Sequence, residues 1–164
     1  MSFTRRFFIF IGVSFFTVIP LSAHTVSFMV VETGLQKDLP AAQSSNLWES
    51  GLLDVFFDSG HIVSNSPIMR LPVKPAKRLP DEAGSSFNEA KSGGADYFVL
   101  ALLDYQGAGD MSHPKPKQIS LRVFKVNPYR FIAEEQFSSK GNNPVAEELN
   151  AAKEAAKTII QHIK

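Results

Sequence analysis

The chain has 164 residues, enough for one domain with its own core, and it contains no cysteine. Disulfide bonds, thiolate metal sites and cysteine nucleophiles are therefore excluded. The 17 Lys and Arg residues nearly balance the 16 Asp and Glu residues, whereas nucleic-acid-binding domains usually carry a marked basic excess, so we expect no nucleic-acid partner.

The N-terminus has the three parts of a secretory signal sequence. A basic pair at residues 5–6 precedes an apolar stretch over residues 7–21, and a Leu-Ser-Ala sequence then supplies the small residues of a cleavage site. The apolar stretch is shorter than the roughly 20 residues that span a bilayer. We therefore expect residues 1–23 to be a signal peptide that is removed, and residues 24–164 to form a periplasmic or secreted protein. The alternative is an uncleaved anchor, and only in that case do we expect the protein to associate with a membrane.

A strand and a helix are the first elements predicted in the mature chain. Residues 25–32 are β-branched and apolar, which is typical of a buried strand. A polar loop then leads to Asn46, which together with Glu49 has the spacing of a capping box and predicts the start of a helix. This helix carries Trp48 on its apolar face, and Gly60 is expected to end it.

The middle of the chain predicts two strands that are separated by a proline-rich connection and a helix. The first of these strands covers residues 61–64, and it extends towards residue 71 if it continues beyond a break at Pro67. Residues 72–80 contain too many prolines for a helix or a central strand, and a helix follows over residues 81–92. Residues 96–105 are the most hydrophobic part of the mature chain and predict a central strand covered on both faces.

The C-terminal part of the chain predicts a hairpin and a long helix. Apolar and polar residues alternate over residues 118–127, with Ser120 and Arg122 on the polar face, which is typical of a half-buried strand. An Asn-Pro-Tyr turn predicts that residues 130–138 return as its hairpin partner. An Asn-Pro pair at residues 143–144 is expected to cap the terminal helix, with two glutamates near its start to suit the helix dipole. The apolar stripe of this helix is Val145, Leu149, Ala152, Ala156, Ile159 and Ile163.

The order β-α-β-α-β-β-β-α predicts a single α/β domain, in which helices pack on a mixed sheet. Right-handed crossovers make the first three strands parallel, so their C-terminal ends share one edge of the sheet. The connections that leave this edge are long (residues 33–45, 72–80 and 106–117), whereas short turns join the elements at the opposite edge.

Three segments of the chain resemble a known family of small envelope domains. Residues 47–61 are similar to its first helix, closing glycine and second strand, and the Gly-Ala-Asp-Tyr-Phe-Val-Leu sequence of residues 94–100 is similar to its step from helix to strand. The strand at residues 119–126 and the terminal helix follow in the family's order. The family includes the N-terminal domain of TolB, the LpoB-type activators of penicillin-binding proteins and the curli secretion lipoprotein. The chain lacks the TolB propeller and the lipidated cysteine of the lipoproteins. The resemblance implies a non-enzymatic envelope protein that contacts other proteins.

Two of the long connections combine prolines with basic residues. Loops on a rigid scaffold carry function more often than chance. We therefore expect a semi-rigid basic rim that binds an acidic or extended segment of an envelope protein. The alternative is that these side chains only keep the loops soluble and stiff. The basic rim consists of Arg70, Lys74, Lys77, Arg78, Lys115 and Lys117.

A second hypothesis is a metal-binding or small-ligand module. Cleavage before His24 gives this residue a free amine, which together with its imidazole suits Cu(II), and His61 or His113 would complete the site. Glu32 and Asp104 end the first and third predicted strands, where open α/β sheets bind ligands, and they would hold a cation or act as an acid–base pair. Alternatively, all five residues have only local structural roles.

Enzymatic signatures are weak, and no cofactor is predicted. Gly107 and Gly109 follow a strand as in a phosphate loop, but the third glycine and the following helix are missing. No nucleophile elbow is present, and Asp54 and Asp58 are interpreted as a solvated helix face. We therefore expect a non-enzymatic protein, and a hydrolase is the least favoured class.

Overall fold

A computed structural model describes residues 23–36, 41–106, 113–138 and 145–164. Residues 1–22 of the signal sequence, the two glycines of the failed phosphate loop and the cap expected at residues 143–144 lie outside these ranges. The elements are β1 Thr25–Thr33, α1 Gln43–Asp58, β2 Ile62–Leu71, α2 Gly84–Ser92 (preceded by a 3₁₀ turn, Asp81–Ala83), β3 Tyr97–Asp104, β4 Gln118–Lys125, β5 Arg130–Ser138 and α3 Val145–Ile160. The predicted element order and α/β class are confirmed.

One mixed sheet with the strand order β2-β1-β3-β4-β5 organises the fold. β1 is parallel to both β2 and β3, while β4 and β5 are antiparallel to their neighbours. β3 is central, and its residues from Tyr97 to Leu103 are buried, as its continuous apolar sequence predicted. Thr33, Asp104 and Gln118 are paired across the sheet, so they mark the edge from which the long connections leave. We call this the loop edge.

Each face of the sheet has its own apolar core. Helices α1 and α3 cover one face, where Phe28, Trp48 and Ile159 belong to the same cluster. On the other face, Phe87 of α2 packs in a second cluster with Phe98. Ala83 of the preceding 3₁₀ turn is buried, as are Phe87 and Ala90 of α2.

The predicted start of α1 is wrong, because the helix begins three residues before Asn46. Its N-cap is Ala42, which has no side-chain cap. Instead, the Glu32 carboxylate at the end of β1 accepts a hydrogen bond of 2.7 Å from the Ala42 N–H. The Glu32 carboxylate of β1 thus accepts a hydrogen bond from a free N–H group at the start of the helix. The sequence had predicted that a side chain at the helix start, Asn46, would do this. The predicted end is confirmed: Gly60 follows the helix with φ of 81°, a conformation that suits glycine.

β2 continues through Pro67 instead of breaking there. It is an edge strand, so a proline that lacks an N–H removes no essential ladder bond. The pairing with β1 shifts register between Met29 and Val31, opposite this part of β2.

The expectation that β4 is half-buried is wrong. Ser120 and Arg122 are only 1% and 6% exposed. The proline-rich residues 72–80 (the strap) cross this face, and the Arg122 guanidinium donates hydrogen bonds of 3.1 and 2.9 Å to the carbonyl oxygens of Lys77 and Arg78. The strap is neither helix nor strand, as predicted.

The hairpin partner β5 is confirmed, whereas the stripe predicted for the terminal helix is only partly correct. Ala152, Ala156 and Ile159 are buried, but Val145 is 52% exposed. Ile163 is buried although it lies beyond the end of α3. Among the described residues, no helix is both long and apolar enough to cross a membrane.

Candidate functional site

The loop edge brings together several residues of the predicted basic rim, but Arg70 is not available there. Its side chain is 9% exposed and forms an ion pair with Glu32, whose side chain is 1% exposed. One guanidinium N–H also donates to the Gln36 carbonyl oxygen at 2.6 Å. Arg70 therefore joins the end of β2 to the end of β1, and its charge is neutralised inside the fold.

Lys74 contacts the first residue of β4, which follows Lys117 in the chain. The Lys74 ammonium donates a hydrogen bond of 2.9 Å to the Gln118 side-chain oxygen, one residue after Lys117, whose side chain is exposed. Lys115 belongs to the same connection and exerts an electrostatic attraction on Glu148 in the first turn of α3. These three residues, which we call the edge lysines, lie on the connections that leave the loop edge.

Lys77 and Arg78 lie further along the strap, over the hairpin. Lys77 forms an exposed ion pair of 2.8 Å with Asp81, and this contact raises the pKa of the ammonium group. The Arg78 guanidinium lies 3.9 Å from the centre of the Phe131 ring, a cation–π contact. Both side chains remain exposed, so they extend the basic surface from the loop edge onto the strap.

Arg122 holds the strap against the sheet, and its ion pair with Glu134 holds Arg122 in position. The Glu134 carboxylate accepts hydrogen bonds from Ser120 at 2.5 Å and from Arg122 at 3.0 Å. Burial acts to raise the pKa of Glu134, but these two hydrogen bonds and the positive charge of Arg122 outweigh it and lower the pKa. Glu134 is therefore held as an anion, which gives Arg122 a permanent counter-charge beneath the strap.

The acid–base or cation site expected from Glu32 and Asp104 finds no support in their contacts. Glu32 is occupied by Arg70 and by the N–H of Ala42. Asp104 accepts hydrogen bonds from Thr33 at 3.2 Å and from the Gln106 N–H at 3.0 Å. Both carboxylates therefore hold the segments that follow β1 and β3 to the ends of these strands or of their neighbours.

Sequence reasoning missed a buried polar cluster beneath the loop edge. Glu148 was interpreted as a helix-dipole residue, but it is 7% exposed and accepts a hydrogen bond from Ser44 in the first turn of α1. Burial raises the pKa of Glu148, against the attraction of Lys115. Beside it, Ser45 and the Tyr105 hydroxyl are hydrogen-bonded at 2.7 Å, and burial raises the pKa of that phenol. The Trp48 indole N–H is buried without a hydrogen bond of normal geometry among the described residues.

A cleft of about 670 Å³ opens beside the Arg70 ion pair. Its lining is largely apolar, and it lies between the ends of β1 and β2 and the turn that precedes α2. The lining residues are Leu35, Gln36, Met69, Arg70, Leu71, Pro72 and Glu82.

The opposite edge of the sheet brings together two of the three predicted histidines. The backbone N–H of His24 donates a hydrogen bond of 3.3 Å to His61 Nδ1, and the two rings are stacked with centroids 6.0 Å apart. His24 Nδ1 lies 3.6 Å from a carboxylate oxygen of Asp96. Burial, with a smaller contribution from His24, lowers the pKa of His61.

His113 does not join this group, because it precedes β4 on a connection of the loop edge. No three His, Asp or Glu side chains of the described ranges are placed so that they could hold a metal ion by themselves. Asp54, which was assigned to a solvated helix face, forms an ion pair of 2.8 Å with Lys153 of α3.

Comparisons with known proteins identify similar structures but no family. No family model matches the chain, and no curated protein matches it. The structure is similar to TolB from Acinetobacter baumannii, with a TM-score of 0.47 and 13% identity over 86% of this chain and 29% of that one. It is also similar to the PelC dodecamer from Paraburkholderia phytofirmans, with a TM-score of 0.46 and 10% identity over 85% of this chain and 86% of that one.

The LpoB C-terminal domain from Salmonella enterica matches with a TM-score of 0.42 and 11% identity, over 74% of this chain and 86% of that domain. TolB and LpoB, which three short segments of the sequence resemble, are thus among the similar structures. This chain spans less than a third of the TolB chain that it matches.

Proposed function

We propose that this chain is an exported, non-enzymatic accessory protein that binds another protein of the cell envelope. Its N-terminal sequence has the parts of a secretory signal, and its motifs resemble those of envelope domains. The loop edge is the surface that we propose for the partner, because long connections converge there on a rigid sheet.

One observation carries the choice of this surface. The polar groups under the loop edge are used to close the fold, whereas the lysines on the connections that leave it keep all or part of their surface in solvent. Glu32 is paired with Arg70, and Asp104 accepts two hydrogen bonds. By contrast, the Lys117 side chain is exposed, and Lys74 donates a hydrogen bond to the uncharged Gln118 amide and attracts the Glu134 carboxylate. A surface of this kind attracts an acidic or extended segment of a partner.

The surface is tested by a double charge reversal, Lys74→Glu with Lys117→Glu. Lys74 attracts Glu134, but that carboxylate keeps its hydrogen bonds from Ser120 and Arg122, so the reversal is expected to lower the thermal midpoint only slightly. Lys115 is left intact, because a new acid beside buried Glu148 would destabilise the fold. We expect crosslinking in intact cells, followed by mass spectrometry, to show that the partner captured by the wild-type protein is lost.

The matched control is Lys91→Glu with Lys125→Glu, which changes the net charge equally. Lys91 is at the end of α2, and Lys125 ends β4 at the opposite edge of the sheet. We expect this control to capture the partner as well as the wild type does. Equal capture by both double variants would remove the loop edge as the binding surface.

Export is tested separately by sequencing the N-terminus of the protein recovered from the envelope fraction. The expected first residue is His24. Recovery of the full chain from the cytosol would contradict the proposed location, whatever the outcome of the crosslinking experiment.

A further inference from the structure

We propose that the side of β2 that faces away from β1, which we call the free edge, is a second binding surface. It takes an extended segment of a partner protein as an additional strand. The segment that fits this edge carries apolar side chains on one face and basic side chains on the other, whereas the edge lysines attract acidic groups. This inference goes beyond the proposed function and does not depend on the loop edge.

The backbone of β2 offers a template for one more strand. Within the described ranges, β2 is the last strand on its side of the sheet, so one side of its backbone has no strand to pair with. The Ile62 N–H is turned inwards, because it donates a hydrogen bond of 3.0 Å to the His24 carbonyl oxygen. Since the N–H and C=O groups of successive residues in a strand point to alternate sides, those of Val63 and Asn65 point away from β1.

The two edges of the sheet differ in charge. Residues 62–69 of β2 contain no charged residue, whereas β5, at the other edge, carries Arg130, Glu134 and Glu135. Charged residues on an edge strand discourage its pairing with another chain, and most of β2 lacks this protection. Pro67 has no N–H, so it limits the uninterrupted template to residues 62–66.

On one face of the sheet, an apolar stripe of α1 lies beside the free edge. Leu53 and Phe57 are about one helical turn apart, and they are 40% and 71% exposed. Glu49 precedes them on the same stripe, and its carboxylate accepts a hydrogen bond of 2.8 Å from the Asn65 side chain of β2. The stripe therefore faces β2, and the apolar side chains of an added strand would cover Leu53 and Phe57.

On the other face of the sheet, the free edge is lined by carboxylates. A recess of about 220 Å³ between β2 and α2 is lined by Glu89 together with Ser64. Further along the strand, Glu82 lines the cleft of about 670 Å³ together with Met69. Both glutamates are exposed, and the cation at this cleft, Arg70, is already in an ion pair within the fold. This face therefore attracts the basic side chains of an added strand.

The same charges argue against a second copy of the chain as the occupant. Two copies that paired through β2 in a continuous antiparallel sheet would carry Glu82 and Glu89 of both copies on the same face. Like charges that meet in this way repel each other. A segment of another protein with one apolar and one basic face has no such conflict.

The test uses a short fluorescent peptide of alternating valine and lysine with blocked ends, and it measures binding to the exported protein by fluorescence anisotropy. We expect saturable binding and slower hydrogen exchange at the N–H groups of Val63 and Asn65. A peptide of alternating valine and glutamate is the control for charge. The valine–lysine peptide methylated on alternate backbone nitrogens is the control for strand pairing, because it keeps the charge but cannot complete the ladder. We expect neither control peptide to show saturable binding.

A pair of lysine variants locates the site on the protein. Ser64→Lys places a positive charge beside the free edge, and we expect at least about tenfold weaker binding of the valine–lysine peptide. Ser138→Lys, at the exposed end of β5, changes the net charge equally and is expected to bind this peptide as the wild type does. The double variant Lys74→Glu with Lys117→Glu is expected to bind it at least as tightly as the wild type, so failure of the free edge and failure of the loop edge are distinguishable.

Three results would overturn the proposal. One is equal binding of the peptide by Ser64→Lys and the wild type. Another is unchanged hydrogen exchange at Val63 and Asn65 in the presence of the peptide. The third is sedimentation of the exported protein as a dimer that Ser64→Lys dissociates, since a second copy would then occupy the free edge.

Discussion

Glu148 lies in the first turn of α3, where a negative charge is ordinarily favourable because of the helix dipole. Here the carboxylate is also buried, and burial raises its pKa. The folded protein therefore binds a proton at this group more tightly than the unfolded chain does. The stability that this group contributes is present below its unfolded pKa of about 4.3, and it is lost as the pH rises through the raised folded value.

The variant Glu148→Gln is expected to be more stable than the wild type at pH 8, by about 2–4 °C in the thermal midpoint. An amide oxygen can still accept the hydrogen bond from Ser44, and no buried charge has to be kept. The advantage is expected to shrink as the pH is lowered towards 4, where the wild-type carboxyl becomes protonated. The measurement is a series of thermal unfolding curves between pH 4 and pH 8.

Glu147→Gln is the matched control, because Glu147 is exposed in the same turn. It loses a favourable interaction with the helix dipole and gains nothing from burial, so a slight decrease in midpoint is expected. A Glu148→Gln variant that is less stable than the wild type at pH 8 would show that the attraction between Glu148 and Lys115 outweighs the cost of burial.

At the scale of elements, helices α1 and α3 are in close contact at Gly51. A Cβ atom added there would lie 2.7 Å from the Cβ atom of Ala152. We expect Gly51→Ala to destabilise the protein by about 1–3 kcal/mol, as overpacked contacts do, although alanine favours a helix. The measurement is urea unfolding.

Gly84→Ala is the control for helix propensity. Gly84 is the first residue of α2, with φ of −63° and ψ of −35°, and an added Cβ atom would meet nothing within 4 Å. Alanine adopts this conformation readily, so we expect stabilisation by about 0.4–1 kcal/mol. Destabilisation by both variants would mean that the loss is not caused by the contact between α1 and α3.

The elements themselves were predictable because their signals are local. A continuous apolar run predicted β3, and Gly60 predicted the end of α1. The contacts that decide the site are not local. The capping contact of α1 comes from Glu32 in another strand, and the cover over Arg122 comes from the strap, 44 residues earlier in the chain at Arg78. Neither partner can be identified from spacing or periodicity. The sequence therefore predicts a start of α1 that is three residues too late, and a β4 that is only half-buried.

The candidate sites also combine features that the sequence shows with contacts that only the fold determines. The chemistry of His24 and of the edge lysines is visible in the sequence, but the positions of their partners follow from the sheet order. His61 meets His24 because β2 lies beside β1. Arg70 does not contribute to the exposed basic surface, because it is paired with Glu32 across β1 and β2 and the two side chains form a buried ion pair. A sequence can name the charged residues, whereas only the fold shows which of them are neutralised.

At the scale of the whole molecule, the strap links the two edges of the sheet. It leaves β2 at one edge of the sheet and reaches β4 and β5 at the other, where Arg122 and Phe131 hold it. Trp48, the single tryptophan, is buried on the opposite face of the sheet. Its fluorescence therefore reports on the core that the strap does not touch.

We expect Arg122→Met to lower the free energy of unfolding by about 2–4 kcal/mol, because it releases the strap and leaves the Glu134 carboxylate half-buried without its cation. If the two faces of the sheet unfold as one cooperative unit, Trp48 fluorescence and far-ultraviolet circular dichroism will show the same decrease in the urea midpoint. Lys77→Ala, which removes only an exposed ion pair on the strap, is expected to change neither signal measurably. A decrease seen by circular dichroism but not by Trp48 would mean that the hairpin and strap unfold separately. The loop edge would then be a surface that opens independently of the helical core, and partner binding would be expected to stabilise the hairpin alone.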